Sequence, residues 1–373
     1  CVEYVDDLKR PPVDLRLQEA SRVQRVLVDA CREAASHLRA RHPSFYKGVA
    51  EETQGWLAEE VDAARAEDLG RTDTFRFEED TILKAALAAL GERRWQVVLE
   101  WAEARVDGDS FWLRSDPARL SAWQLVGDGA RLGLAIDGAG PALAARNGLD
   151  HAVERYREAG AVVDQAHRHL EQRRLALLYP QLPDFETLRE RLDALRARWR
   201  TWADAWGREF NAICRAEGFL PSAALQQRTL FEEVVRPLTQ EPGTTALFLI
   251  DALRFEMGEE LYRQLVGTPA TTVHLAARLA ELPTVTEVGM NVLAPVAERG
   301  RLRPVLAGEA VRGFALGEFT VSDPESRKRA IHGRIGGATC PWLTLDEVLG
   351  RAAASLKPAG ARARLVGVHS REI

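Results

Sequence analysis

TALFLIDALRF, from Thr245 to Phe255, and LPTVTEVGMNVLAP, from Leu282 to Pro295, decide how this chain is read. The first begins as an uninterrupted apolar run and ends in one acid. That is the pattern of a parallel-sheet strand, buried on both faces, delivering Asp251 at its carboxyl end. Open α/β sheets bind ligands at that edge. In the second segment Pro283, with fixed φ and no N–H, ends what precedes it, and Thr284 and Thr286 follow. A helix starting at Thr286 turns its unpaired N–H groups and dipole toward an anion held at the threonine hydroxyl. A threonine hydroxyl is a weak nucleophile at neutral pH, and a divalent cation in contact with it favours the alkoxide. Asp251 supplies one ligand for such a cation. Taken singly, each segment also reads as an ordinary helix cap. Taken together they predict the first parts of a metal-assisted phosphoryl-transfer site. Arg254 and Glu256 follow Asp251 within one turn, gathering charge that a cap does not require.

Downstream of Thr245 the pattern alternates. Leu247–Ile250 reads as a strand, Glu256–Val266 as a helix and Thr271–Ala276 as a second strand. Thr286–Leu293 opens another helix, Ser322 caps one beginning at Pro324, Leu345–Leu356 is a further helix, and Ala363–Val368 is a last strand. Such alternation implies a mainly parallel sheet with helices on its faces, here incomplete. Pro221, Pro237 and the EPGT of Glu241–Thr244 mark the linker before it.

Upstream the pattern is helical. Leu15, Ala20, Val23, Leu27, Ala30 and Ala34 give one amphipathic helix over Leu15–Leu38, and Pro43 and Gly48 break the pattern. It resumes over Trp56–Ala66, Thr81–Leu90, Trp95–Ala104 and Leu120–Leu134, with the turn-rich GDSFWLRSDP between the last two. After the Gly- and Ala-rich Ala139–Asp150 come two seams of apolar residues joined by a turn with Pro180 and Pro183. They predict a helical hairpin, with Asp184 as N-cap of the second arm. Trp199, Trp202 and Trp206 continue that seam, so helical spacing assigns them to the core rather than to ligand stacking. In RERLDALRARWR, Glu190 and Asp193 interleave with the arginines, the mark of a solvated helix face rather than a nucleic-acid patch. The divisions are a helical domain (1–138), a helical connector (139–238) and an α/β domain (239–373).

The 373 residues are 46% hydrophobic and 28% charged, the balance of a folded chain of two or three domains. A net charge of -5 argues against a nucleic-acid coat held by bulk electrostatics. Cys1, Cys31, Cys214 and Cys340 form no CxxC pair, which excludes a zinc knuckle and points to reduced thiols of a cytoplasmic protein. The start at Cys1, with no apolar leader and no stretch of membrane-span length, reads as a fragment of a longer soluble polypeptide. His167 and His169 point to different faces of a helix and cannot share a metal, and His274 and His332 have no supporting cluster. GRIGGAT, from Gly333 to Thr339, lacks a phosphate-loop pattern and reads as a turn.

LIDALRFEMGEEL, LPTVTEVGM, the LAP that closes its helix and the terminal LVGVHSREI occur in the order seen in one family. From about Thr245 to Ile373 the chain resembles the PglZ domain, a branch of the alkaline phosphatase superfamily found in BREX and related phage-defence systems. The segment from Phe75 to Gly133, with FRFEED, SFWL and SAWQLV, is more loosely similar to the helical portion preceding that domain. The resemblance implies phosphate ester hydrolysis with two divalent cations, usually zinc. It places a metal ligand at Asp251 and the nucleophile at Thr286, with Thr284 as the alternative two residues earlier. Arg254, Glu256 and His369 become candidates for supporting positions, His369 also for a ligand, although an ordinary strand-end histidine is its plainer reading. It further implies other defence proteins as partners, a phosphate ester or nucleic acid as substrate, and no membrane. In the family an Asp ligand directly follows HSREI, and this sequence stops at Ile373, beside His369 and Glu372. Weak or no metal binding and no turnover are therefore expected of the chain as it stands. The alternative is a scaffold that binds other defence proteins through its helical region, with the chemistry lost or secondary.

Overall fold

Side-chain capping sets the bounds of the long helix that closes the N-terminal region. The computed structural model describes residues 1–70, 73–108, 110–140, 143, 148–178, 181–298, 301–316, 319–335, 340–351 and 363–370. Its main N-terminal helices are α1 (Arg25–Arg41), α2 (Pro43–Gly55), α3 (Arg76–Gly91), α4 (Trp95–Val106) and α5 (Pro117–Ala139). Asp116 accepts from the N–H groups of Ala118 and Arg119 at 3.0 and 3.3 Å, Pro117 takes the first helical position, and Gly140 stops α5 at φ +67°. The single helix expected over Leu15–Leu38 is broken into Leu15–Ala20 and α1. Between them the Ser21 hydroxyl donates to the Gln18 carbonyl at 2.7 Å, a local bond that competes with helix continuation. Pro43, expected as a breaker, instead starts α2, where its missing N–H is harmless, and Gly48 sits inside that helix. The expected helix over Trp56–Ala66 shrinks to Ala58–Ala63.

Helices α3, α4 and α5 bury Leu83, Ala86, Leu87, Val98, Ala102, Trp123, Val126 and Ala130. Full burial of each large apolar side chain contributes roughly 1.5–3 kcal/mol before entropy is counted. Gly133 lets α5 lie against the Trp95 indole, for a Cβ there would sit 2.5 Å from the ring. A helix from Gly148 to Arg155 passes through a π-helical turn into α6 (Ala161–Arg173), and α7 (Phe185–Glu217) forms the second arm. Asp184 precedes α7 at φ +48°, and its carbonyl accepts from the Leu188 N–H at 2.9 Å. Leu188, Leu192 and Leu195 are buried as the seam predicts. Trp199, Trp202 and Trp206 are only half-buried, because an indole can pack one face and leave the other wet; Trp199 lies flat on His167 with centroids 3.4 Å apart. Part of the arginine face is tied down rather than solvated, with Arg196 2.6 Å from Glu171 and Arg198 paired to Asp137.

The chain divides into two compact units, Cys1–Ala142 with Val162–Ala205, and Leu143–Ala161 with Trp206–Ile373. The second unit holds β1 (Thr245–Leu249), α8 (Phe255–Leu265), α9 (Thr286–Leu293), β2 (Arg303–Ala307), β3 (Ala310–Leu316), β4 (Phe319–Val321), α10 (Pro324–Ile335), β5 (Trp342–Thr344) and β6 (Leu365–His369). The architecture is therefore α + α/β. Strands β1, β6 and β5 form a parallel sheet in that order, with Thr245 opposite Leu365, Leu249 opposite His369 and Trp342 opposite Gly367. Gly367 is needed there, since a Cβ would lie 2.0 Å from the Trp342 ring. Leu249, Met290, Ala294, Ile331, Trp342 and Leu365 share one core.

Burial of β1 on both faces does not occur. Leu249 faces the core, but Ala246 is exposed and Phe248 is 50% exposed. Two-sided burial needs a layer on each face, and β1 is an outer strand covered on one. Thr271–Ala276 is not a strand either: it has no partner strand among the described residues, and nearby only Leu279 makes a bridge, to Gln226. A second, antiparallel sheet, β2-β3-β4, was not anticipated, nor was β5. Asp323 rather than Ser322 caps α10, accepting from the Ser326 N–H at 2.7 Å. The helix at Leu345 ends at Leu349, and the rest of the expected span from 352 lies outside the described residues. Gly333 to Ile335 belong to α10 instead of a turn, and 336–339 also lie outside.

Candidate functional site at the carboxyl edge of β1

β1 ends at Leu249, and the chain turns at once, with Ala252 in the left-handed region at φ +56°. A residue with a Cβ costs about 1–2 kcal/mol there, a strain that persists where the surroundings fix it. Two bonds do so on the acid itself. Asp251 Oδ1 accepts from the Ala252 N–H at 3.0 Å, and the Asp251 N–H donates to Ser370 Oγ at 2.8 Å. Ser370 is in turn held by its own N–H, which donates to the Leu249 carbonyl at 2.9 Å. The end of β6 thus fixes the end of β1.

The other half of the site is the start of α9. Val285 precedes it, and the N–H groups of Val288 and Gly289 both return to the Val285 carbonyl at 3.0 Å. The N–H groups of Thr286 and Glu287 therefore have no acceptor inside the helix, and they carry its positive end. Thr286 is not the cap of α9. Its hydroxyl points away and donates to Asp251 Oδ2 at 3.0 Å, although 35 residues separate the two. Met290 packs into the core with Leu249 and Trp342, and Val288 and Val292 pack with Phe314, which anchors α9. Arg327 of α10 adds to that anchorage, its Nε donating to Asn291 Oδ1 at 2.8 Å.

Thr284 lies two residues earlier on exposed chain, and no hydrogen bond links it to Asp251. Arg254 precedes α8, with its guanidinium 2.8 Å from the fully buried carboxylate of Glu256. His369 is the last residue of β6, and its Nδ1 is 3.1 Å from the Ser370 carbonyl oxygen. Glu372 lies outside the described residues. Ser370 is the residue that reading the sequence passed over. Its one signal was its place directly after a terminal apolar strand, and its partner is 119 residues away.

Asp251 and Thr286 offer a cation one half-buried carboxylate and one hydroxyl. Catalytic zinc takes three protein ligands. Among the described residues no group of three or more His, Cys, Asp or Glu could hold a metal ion, so these residues alone do not fit a zinc centre. No described helix is long and apolar enough to cross a membrane.

Comparison with known proteins meets the same segment. The family described as the BREX system PglZ alkaline phosphatase-like domain matches residues 230–305, which include β1, Asp251, Arg254 and Thr286. The chain is also 30% identical over 138 residues to the alkaline phosphatase-like protein BrxZ of Escherichia coli O9:H4 (strain HS), covering 35% of this chain and 16% of that protein. No solved structure matches. An acid at a strand end, a hydroxyl at a helix start and this family match fall on one short segment, which is similar to the BREX system PglZ alkaline phosphatase-like domain.

Proposed function

We propose that the pair Asp251 and Thr286 is the start of a phosphate ester hydrolase site in a BREX phage-defence component. The observation that carries this reading is the 3.0 Å hydrogen bond from the Thr286 hydroxyl to Asp251 Oδ2, made at the open end of a parallel sheet. A nucleophile needs an acceptor within hydrogen-bond reach of its proton. Asp251 holds the proton at Oδ2 and leaves the lone pairs of Thr286 Oγ free to meet phosphorus. The N–H groups of Thr286 and Glu287 receive non-bridging oxygens, as helix starts do for phosphates. Attack passes the Thr286 proton to Asp251 Oδ2, forms a bond from Thr286 Oγ to phosphorus and breaks the bond to the leaving alkoxide, which takes up a proton to leave as an alcohol; water then cleaves the threonine ester, releasing phosphate from a monoester or a phosphate monoester from a diester, and restores the hydroxyl. A divalent cation held there, zinc in this reading, would favour the alkoxide of Thr286 and offset phosphate charge. Asp251 would be one ligand of such a cation.

The test is hydrolysis of a chromogenic phosphate diester, with zinc added, by a longer form of the protein that carries the residues after Ile373, compared with its Asp251→Ala variant. Loss of activity on substitution and on chelation supports the reading. Undiminished turnover in Asp251→Ala contradicts it. Phage defence that survives both Asp251→Ala and Thr286→Ala would favour the scaffold, in which the helical region binds other defence proteins and the chemistry is vestigial.

A further inference from the structure

Phe219 and Leu220, which follow α7, and Leu282, ahead of Thr286, are each more than half exposed. Single exposed apolar side chains are ordinary on a protein surface. These three instead line one cleft of about 400 Å³, together with Pro221 and Pro283. Its walls are tied to one another by hydrogen bonds. The Leu279 N–H donates to the Leu225 carbonyl at 2.8 Å, Arg278 Nη1 donates to the Gln226 carbonyl at 2.8 Å and to Thr229 Oγ1 at 2.6 Å, and Arg228 is paired with Glu281. A preformed concavity with apolar walls is where small molecules bind, and a volume of about 400 Å³ admits one or two rings but not a helix of a partner chain. Arg228 and Glu281 are the charged residues of the lining and neutralise each other, so the cleft suits an uncharged group. It also lies close to the nucleophile. Pro283, in its wall, is three residues from Thr286, so at most about 11 Å of extended chain separates them. The Val285 N–H donates to the Pro283 carbonyl at 2.8 Å, a tight turn that shortens that reach.

We propose that this cleft is a ring-binding subsite beside Thr286, receiving an uncharged planar group, an aryl ring or a nucleobase, borne by the phosphate ester. The proposal rests on the hydrolase reading and adds a substrate class to it: esters whose organic part carries a flat ring, in preference to short alkyl or sugar esters. Phe219, Leu220 and Leu282 are its specificity-determining residues. Removing the ring and these side chains from water together supplies the preference. The tethered walls shape the cleft before the ring arrives, which spares the cost of ordering them on binding.

Phenyl phosphate and methyl phosphate are the probes, titrated calorimetrically into the longer form of the protein with zinc present, in a Thr286→Ala background that prevents turnover. The two share a phosphate and differ by the ring. Phenyl phosphate should bind about 10-fold more tightly than methyl phosphate, the scale of taking one ring out of water, and Phe219→Ala and Leu282→Ala should each bring that ratio about 3-fold or more toward one. Both side chains are more than half exposed, so the variants should fold. Adenosine monophosphate set against ribose phosphate repeats the comparison with a nucleobase, and the pair with the larger ratio names the ring. Diester hydrolysis by the longer form is read beside binding. Hydrolysis without a ring preference removes the subsite and leaves the hydrolase reading, whereas a ring preference without hydrolysis keeps the cleft as a binding site and removes the hydrolase reading. A ratio near one for both pairs, or ratios unchanged in both variants, overturns the proposal.

Discussion

Inside the helical unit Glu79, Arg119 and Trp123 are sealed from water, whereas at the edge of β1 Asp251, Thr286 and Arg254 stay open to it. The sealed group is linked within the helical unit. Trp123 Nε1 donates to Glu79, Arg105 lies 3.6 Å from Glu79, and Arg119 is 2.7 Å from Asp80. A buried polar network of that kind specifies packing. At the sheet edge Asp251 is held by Ser370 and Arg254 pairs with Glu256, while Asp251 and Arg254 keep contact with solvent. Residue type does not distinguish architecture from chemistry here. The direction in which the bonds are satisfied does.

The comparison breaks first if the sealed network is dispensable. Trp123→Ala removes a fully buried indole and leaves Glu79 without its donor, so it should cost about 3–5 kcal/mol, read by urea unfolding. A loss below about 1 kcal/mol would contradict the account of the helical core.

The second effect is pH-dependent. Burial pushes the Glu79 carboxyl up to about 7 from 4.5, against the opposing pull of Arg105 and the Trp123 hydrogen bond. The folded unit then holds this proton more tightly than the unfolded chain. Its contribution is complete below about 4.5 and is lost as pH rises through about 7, a change on the order of a few kcal/mol. Unfolding midpoints measured across that window should fall with pH, and Glu79→Gln should flatten the slope.

At the sheet edge, stability effects should be small and functional ones large. Ser370→Ala deletes the acceptor of the Asp251 N–H and should cost about 1 kcal/mol in unfolding, with a larger proportional loss of hydrolysis because the acid is freed to move. Ala252→Gly relieves a left-handed residue and should stabilise the second unit by up to about 1 kcal/mol, an effect measurable as a raised thermal midpoint.

Much of this edge was legible beforehand. The helix expected over Thr286–Leu293 has those bounds, and the approach of Thr286 to Asp251 followed from placing a helix start beside a strand end. Local signals carried both: an apolar run ending in an acid, and a proline ahead of a threonine. Other features are not local properties. Ser370 matters through the register of two strands far apart in sequence. The exposure of Phe248 depends on which layer covers the sheet, and no neighbour of Phe248 in the chain records that. The antiparallel sheet was hidden because RPVLA, Arg303 to Ala307, is exposed throughout and shows no alternation of apolar and polar residues. Thr271–Ala276 erred the other way, having strand composition and no strand to pair with.

Hydrolysis by Thr286→Ala in a longer form of the protein carrying the residues after Ile373, set beside Thr284→Ala and Thr286→Ser with zinc present, tests the account most directly. The geometry predicts a loss of about 10³-fold or more for Thr286→Ala, retained turnover for Thr286→Ser, and a change of no more than a few-fold for Thr284→Ala. Full activity in Thr286→Ala, or the large loss at Thr284 instead, would contradict it.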